Sequence, residues 1–131
     1  MSGELPSYIL RISRDELERR LFIKHSFYVG IKRDWSQGTR VLFVRKDAFA
    51  GSGVIERFVA LDGLEEPEKN LCVENNWYGK IVFSKLIRFQ PAVPVQSTPA
   101  AGENPLALHG ASISGPDAMR IERLAPARII S

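Results

Sequence analysis

Apolar and polar positions along this chain fall into short β-like runs interrupted by two helical patches. Ser7 to Ile12 (SYILRI) favours a strand, and it stops at a helix-start signal in which Ser13 and Glu16 stand as S-x-x-E. In that spacing the serine hydroxyl can accept from the amide of Glu16 while the glutamate reaches back. Ile12 and Leu17 take the staple positions. Leu17 and Leu21 share one face a turn apart, so the pattern predicts a short amphipathic helix from Arg14 to about Leu21 that braces a barrel.

The next stretch, FIKHSFYVGIKRDWSQG, predicts a short extended piece through Phe27, Tyr28, Val29 and Ile31, punctuated by Gly30, then a loop. Thr39 to Lys46 and Ser52 to Leu61 are rich in β-branched and aromatic residues and predict a strand pair. Asp47, Gly51 and Gly53 lie between them or at their edge, so GSG reads as relief for a hairpin turn or a slightly longer connection. DGLEEPEKN reads as an acidic loop with room for one helical turn. In WYGKIVFSKLIRF, Trp77 to Phe89, both alternating faces are partly apolar, as in a strand of a small closed or nearly closed barrel.

After Phe89 the pattern breaks. Pro91, Pro94, Pro99 and Pro105 punctuate the segment from about 90 to 106 and argue against a regular helix or a central strand there, predicting a loop that is either a lid or a surface excursion. Ser114 to Leu124 (SGPDAMRIERL) combines a capping hydroxyl, an early proline and aspartate, and later arginines, which together predict a short helix. Pro126 ends it, and ARIIS is a candidate final strand. No repeat at solenoid spacing is present.

Composition adds bounds to this α+β picture. At 131 residues the chain has the size of one domain, and 44% hydrophobic with 25% charged residues is globular composition. No apolar run approaches the ~20 residues of a membrane span. The opening MSGELPSYIL lacks the basic start and apolar stretch of a leader, so the expected location is the cytoplasm, as a monomer or weak homodimer. The single cysteine, Cys72, has no internal disulfide partner.

The net charge of +3 is segregated. Arg11 to Lys46 holds ten Lys/Arg against four Asp/Glu, whereas Asp47 to Asn76 holds seven acids against two bases. One basic face follows if folding keeps these segments apart. Aromatic residues lie nearby, and a flat ring can stack on an unpaired base for ~1–3 kcal/mol while Lys and Arg hold the backbone. Tyr28, Trp35, Trp77 and Tyr78 are the stacking candidates, with core packing as the alternative for each. Lys24, Lys32, Arg33, Arg40, Arg45 and Lys46 are the backbone candidates. Phe43, Phe58, Phe83 and Phe89 read as core.

Catalytic patterns are weaker. His25 and His109 lie far apart and outside any metal-ligand spacing, Cys72 lacks a nucleophile signature, and GSG lacks the Lys-Ser/Thr ending of a phosphate loop. Neither a metal nor a cofactor is expected.

The order of these pieces resembles a PUA-like domain, most similar to the EVE and ASCH branches. SYILRI opens the sheet, HSFYVGI precedes the turn, QGTRVLFVRK leads into GSGVIERFVA, WYGKIVFSKLIRF follows, and SGPDAMRI begins a capped helix. The resemblance spans nearly the whole chain and implies a mixed β pseudo-barrel with short flanking helices. It also implies a non-enzymatic module that binds RNA, or a modified or unpaired nucleobase, in an aromatic cleft. HSFYVGI then stands where the pocket is lined, which places His25, Ser26, Phe27 and Tyr28 near the ligand; the opening strand carries Tyr8 where relatives have tryptophan. Some ASCH relatives hydrolyse modified nucleosides with a lysine, a threonine and a glutamate, and Lys24, Thr39 and Glu56 offer those types. A small nucleoside-processing hydrolase and a protein-interaction domain therefore remain the alternatives.

Overall fold

The computed structural model describes residues 7–130; the leader-free reading of the first residues and the terminal Ser131 of the closing strand lie outside them. Strand β1 (Ser7–Ile12) leads into helix α1 (Asp15–Lys24), then β2 (Ser26–Val29), β3 (Arg40–Arg45) and β4 (Ala48–Ala60). Helix α2 (Glu66–Glu74) precedes the long β5 (Gly79–Pro94). The short β6 (Ser112–Ile113), α3 (Gly115–Leu124) and β7 (Ala127–Ile130) complete the α+β fold.

The strands form one sheet in the order β2-β5-β4-β3-β1-β6, with β7 added to the second half of β5. Among the described strands only β1 and β3 run parallel, from Tyr8 opposite Val41 to Ile12 opposite Arg45. That pairing needs a crossover, which α1 and β2 supply. The end strands β2 and β6 do not pair with each other, so the sheet is open.

Each face of the sheet is covered by helix. On one side Leu17, Leu21 and Phe22 of α1 and Cys72 of α2 pack with Leu10, Val41, Phe43, Ile81 and Phe83. On the other, Ala118 and Ile121 of α3 pack with Ile9, Leu42, Val44, Phe49 and Phe89. Burying a Leu, Ile or Phe contributes about 1.5–3 kcal/mol, so the apolar faces of α1 and α3 hold these helices far more firmly than their propensities would. Phe43, Phe83 and Phe89 are core, as expected, and Phe58 is partly buried against the first cluster.

Several local expectations are corrected. Helix α1 begins one residue late: Arg14 is the N-cap, in extended backbone, and no side chain caps the helix, so the Ser13–Glu16 box does not form. Arg14 instead pairs with Glu16 at 3.1 Å. The β3–β4 hairpin turns at Lys46 and Asp47, with Lys46 at φ 60°, and the GSG lies inside β4. Those glycines answer a close approach rather than a turn. A Cβ on Gly51 would stand 2.4 Å from the Ile87 carbonyl oxygen, and one on Gly53 2.9 Å from the Phe83 ring. The acidic segment is a 3-10 turn at Leu61–Gly63 followed by the nine-residue α2. Strand β5 also continues through Pro91 to Pro94, because Val93 and Pro94 pair with Phe49 and Ala48 at the end of β4. The proline-rich remainder holds the 3-10 turns Val95–Ser97 and Pro105–Leu108.

Candidate functional site

A cleft of about 210 Å³ opens between α1 and α2. Leu17, Leu71, Tyr28 and Trp77 give it apolar walls, and Arg14, Glu16, Arg20 and Asn75 give it a polar rim. Trp77 is brought there by the way α2 ends. Asn76 adopts φ 59°, the Trp77 amide donates to the Cys72 carbonyl at 2.9 Å, and the Asn76 amide donates to Val73 at 3.3 Å. This is the Schellman pattern, in which an asparagine in the left-handed region satisfies the last helical carbonyls and folds the chain back across the helix end.

Tyr28 arrives from β2. It is paired in register with Lys80 of β5, so the two side chains lie side by side on one face. Glu68 of α2 sits over both: the Tyr28 hydroxyl donates to it at 2.7 Å, Lys80 Nζ at 2.9 Å and Arg20 Nη2 at 3.0 Å. Burial raises the Glu68 carboxyl, but the Tyr28 hydroxyl, Lys80 and Arg20 together outweigh it and hold the group below its ordinary value. Burial first, and the bond to Glu68 second, push the Tyr28 phenol well up. Cys72 is raised by burial and by Glu68, so it stays a neutral thiol.

The rings and guanidiniums form one continuous stack. Arg20 lies 4.4 Å from the Tyr28 centroid, Tyr28 and Trp77 are parallel at 4.9 Å, and Arg14 lies 5.5 Å from the Trp77 centroid on the cleft side. Arg14 is exposed, with side-chain accessibility of 47%, and it also donates to Asn75 Oδ1 at 3.4 Å. A planar ligand can take its place on the indole. The arrangement offers one stacking face, an amide for an edge and a guanidinium for an anion.

The other sequence-derived candidates fall elsewhere. His25 ends α1 in the left-handed region, and its carbonyl accepts from Phe83 at 2.9 Å. Ser26 and Phe27 are buried in β2, Phe27 against Phe43, so neither offers a surface to a ligand. Trp35 is also buried; its edge meets Tyr8 and its Nε1 donates to the Ile31 carbonyl at 3.2 Å. Tyr78 packs on Phe58, with Lys32 Nζ 5.7 Å from its ring, at a second location away from the cleft walls. HSFYVGI thus does not line the cleft as a unit; Tyr28 alone does.

Among the basic candidates, Arg40 is paired with Glu122 at 2.8 Å, where Ser52 donates to the other carboxylate oxygen at 2.5 Å. Arg45 is paired with Asp15 and lies 3.8 Å from Glu18. Their charges are compensated in place, which removes them from the set of open phosphate contacts. Lys24 and Lys46 are exposed and without an acidic partner among the described residues, while Arg33 donates to backbone carbonyls. The Lys24, Thr39 and Glu56 set offers no accessible threonine, because Thr39 is fully buried, and Glu56 is paired with Arg57.

Arg14, Arg20 and Asn75 at the cleft, and Glu68 and Lys80 beneath it, are residues that sequence reasoning missed. One signal for them was present: Pro67 in the first turn with Glu66 and Glu68 beside it, and the Asn75–Asn76 pair at the end, bracket a helix. No family model, no curated protein and no solved structure matches this chain significantly.

Proposed function

We propose that this chain is a non-enzymatic module that binds single-stranded nucleic acid, most directly RNA, by taking one unpaired or modified base into the cleft between α1 and α2. The observation that carries this is the stack Arg20–Tyr28–Trp77–Arg14, in which the partly buried indole meets the Tyr28 ring and an exposed guanidinium. Sites for drug-sized molecules run to about 300–1,000 Å³, so a cleft of about 210 Å³ suits one planar ring system. Asn75 would meet the edge of the base, and the exposed Lys24 further along α1 the backbone. The PUA-like reading of the fold belongs to the same proposal. It is supported by the strand–helix–strand opening, the single parallel pair in a mixed sheet, and the capped C-terminal helix.

Fluorescence anisotropy with labelled RNA and DNA single strands tests it. Affinity is expected to fall with salt by a log-log slope of ~0.7 per neutralised phosphate. Trp77→Ala is expected to weaken binding about tenfold, within the range for one lost stacking partner, while the far-UV circular dichroism is unchanged. Binding that ignores salt, or a Trp77→Ala protein that binds like the parent, would rule the cleft out. A second reading, a protein-interaction domain, is favoured by one observation: Ile23 of α1 and Ile129 and Ile130 of β7 are exposed around a groove floored by Phe22.

A further inference from the structure

The arginines of this protein divide by how their charge is met. Arg14, Arg20, Arg40, Arg45, Arg57 and Arg120 each have a carboxylate within ion-pair distance. Arg11, Arg19, Arg33, Arg88, Arg123 and Arg128 have none among the described residues, and the fold brings two of these, Arg11 and Arg33, to the same place. Arg11 lies on β1, which packs against the 3-10 turn Pro105–Leu108, and its backbone N–H donates to His109 Nδ1 at 3.0 Å. Arg33, from the loop after β2, donates through Nε to the carbonyl of the adjacent Gly110 at 2.9 Å.

These positions are fixed by main-chain bonds rather than by surface chance. Gly110 donates to the Ile9 carbonyl at 2.7 Å, and Ile9 donates to Ala111 at 2.9 Å, which locks the 109–111 segment onto β1. Gly110 adopts φ +79°, and a Cβ there would lie 2.3 Å from Ile31, so the glycine is what lets the 31–33 loop lie against this edge. Around His109 several donors are unspent. Its Nδ1 is occupied as an acceptor, which leaves the proton on Nε2 as a donor. Arg11 Nε is buried with no acceptor, and Arg33 has only carbonyl partners, for Nε and Nη1. Burial and then both guanidiniums depress the protonation of His109, and no acid opposes them.

Two forked cations and an imidazole N–H without a counter-charge call for an anion with several acceptor oxygens. Phosphoryl oxygens match this set, since a guanidinium fork binds two of them at once and a buried donor without an acceptor is unfavourable. We propose that Arg11, Arg33 and His109 form a binding site for a phosphoryl group. This site is separate from the base cleft and does not depend on it. The group has two possible sources, free phosphate and the phosphate of a nucleotide chain.

The test is a titration of the whole chain with inorganic phosphate at constant ionic strength, followed by the 15N signals of the arginine Nε and histidine ring atoms. Saturable shifts at Arg11, Arg33 and His109 are expected, with Trp77→Ala titrating like the parent. Arg33→Gln and Arg11→Lys should each weaken binding about tenfold or more, as loss of one charge-assisted fork predicts. A 5′-phosphorylated oligonucleotide that competes where its unphosphorylated twin does not assigns the source to nucleic acid; competition by neither assigns it to free phosphate. Shifts that stay linear, match those produced by chloride, or persist in both folded variants overturn the site. If either variant fails to fold, the parent's thermal midpoint decides: a rise with phosphate but not chloride upholds the proposal, and no rise refutes it.

Discussion

Replacing Glu68 by glutamine tests the electrostatic hub beneath the cleft. The substitution keeps the side chain's size but removes the charge that Tyr28, Arg20 and Lys80 share, and it turns an amide NH2 toward one or more of these donors. Loss of an exposed ion pair costs about 0–1 kcal/mol, whereas breaking a fully buried one costs about 3–5 kcal/mol. Glu68, Arg20 and Lys80 are 30%, 26% and 18% exposed, between those limits, so about 2 kcal/mol of destabilisation is expected. With a urea slope of about 1–3 kcal/mol per molar, the midpoint should move down by about 1 M. Urea denaturation followed by far-UV circular dichroism measures it. A midpoint shift under about 0.3 M at unchanged slope would refute the hub.

The same hub has a pH signature. Because the folded-state Glu68 carboxyl is depressed below its ordinary value of 4.5, its stabilisation is complete above that value. It is lost as pH falls through the folded-state value, and Glu68→Gln should remove this part of the acid-induced decline.

Three further substitutions or titrations probe the frame. Gly51→Ala places a methyl 2.4 Å from the Ile87 oxygen and 3.0 Å from the Phe22 ring, so a loss of about 1–3 kcal/mol is expected in thermal melts; an unchanged melt would show that β5 can yield there. Ser114→Ala removes the hydroxyl that accepts from the Asp117 amide at 3.2 Å and should cost about 1 kcal/mol in urea, against no loss if the cap is idle. His109 is depressed below 6.5 by burial and by Arg11 and Arg33, so its contribution is complete above pH 6.5 and is lost as pH falls through the folded-state value. An NMR titration of its ring that gives a value at or above 6.5 would contradict that placement.

Where sequence reading succeeded, local pattern and tertiary demand agreed. The run SYILRI, the strand FYV, and the capped SGPDAMRIERL helix each carry their own signal, and each became β1, β2 or α3. Helix α2 was hidden because it buries only Cys72, which leaves no apolar stripe to read. The glycines of β4 misled because a close neighbouring backbone and a tight turn ask for the same residue. Tyr28 and Trp77 were both on view as aromatics, but their pairing depends on a helix end and a cross-strand register more than 40 residues apart in sequence. Basic residues read the same whether paired or open, and only the fold shows that Arg40 and Arg45 already have acids.

Strand β5 gives Ile81, Phe83 and Leu86 to the core beneath α1 and α2, and Phe89 and Val93 to the core beneath α3. It crosses from one apolar compartment to the other without leaving the sheet, which couples the two. The protein should therefore lose its structure as one cooperative unit, with the central β5 amides that bond to β4 exchanging with solvent only through global unfolding. Native-state hydrogen exchange that showed one half of β5 opening alone would break this link.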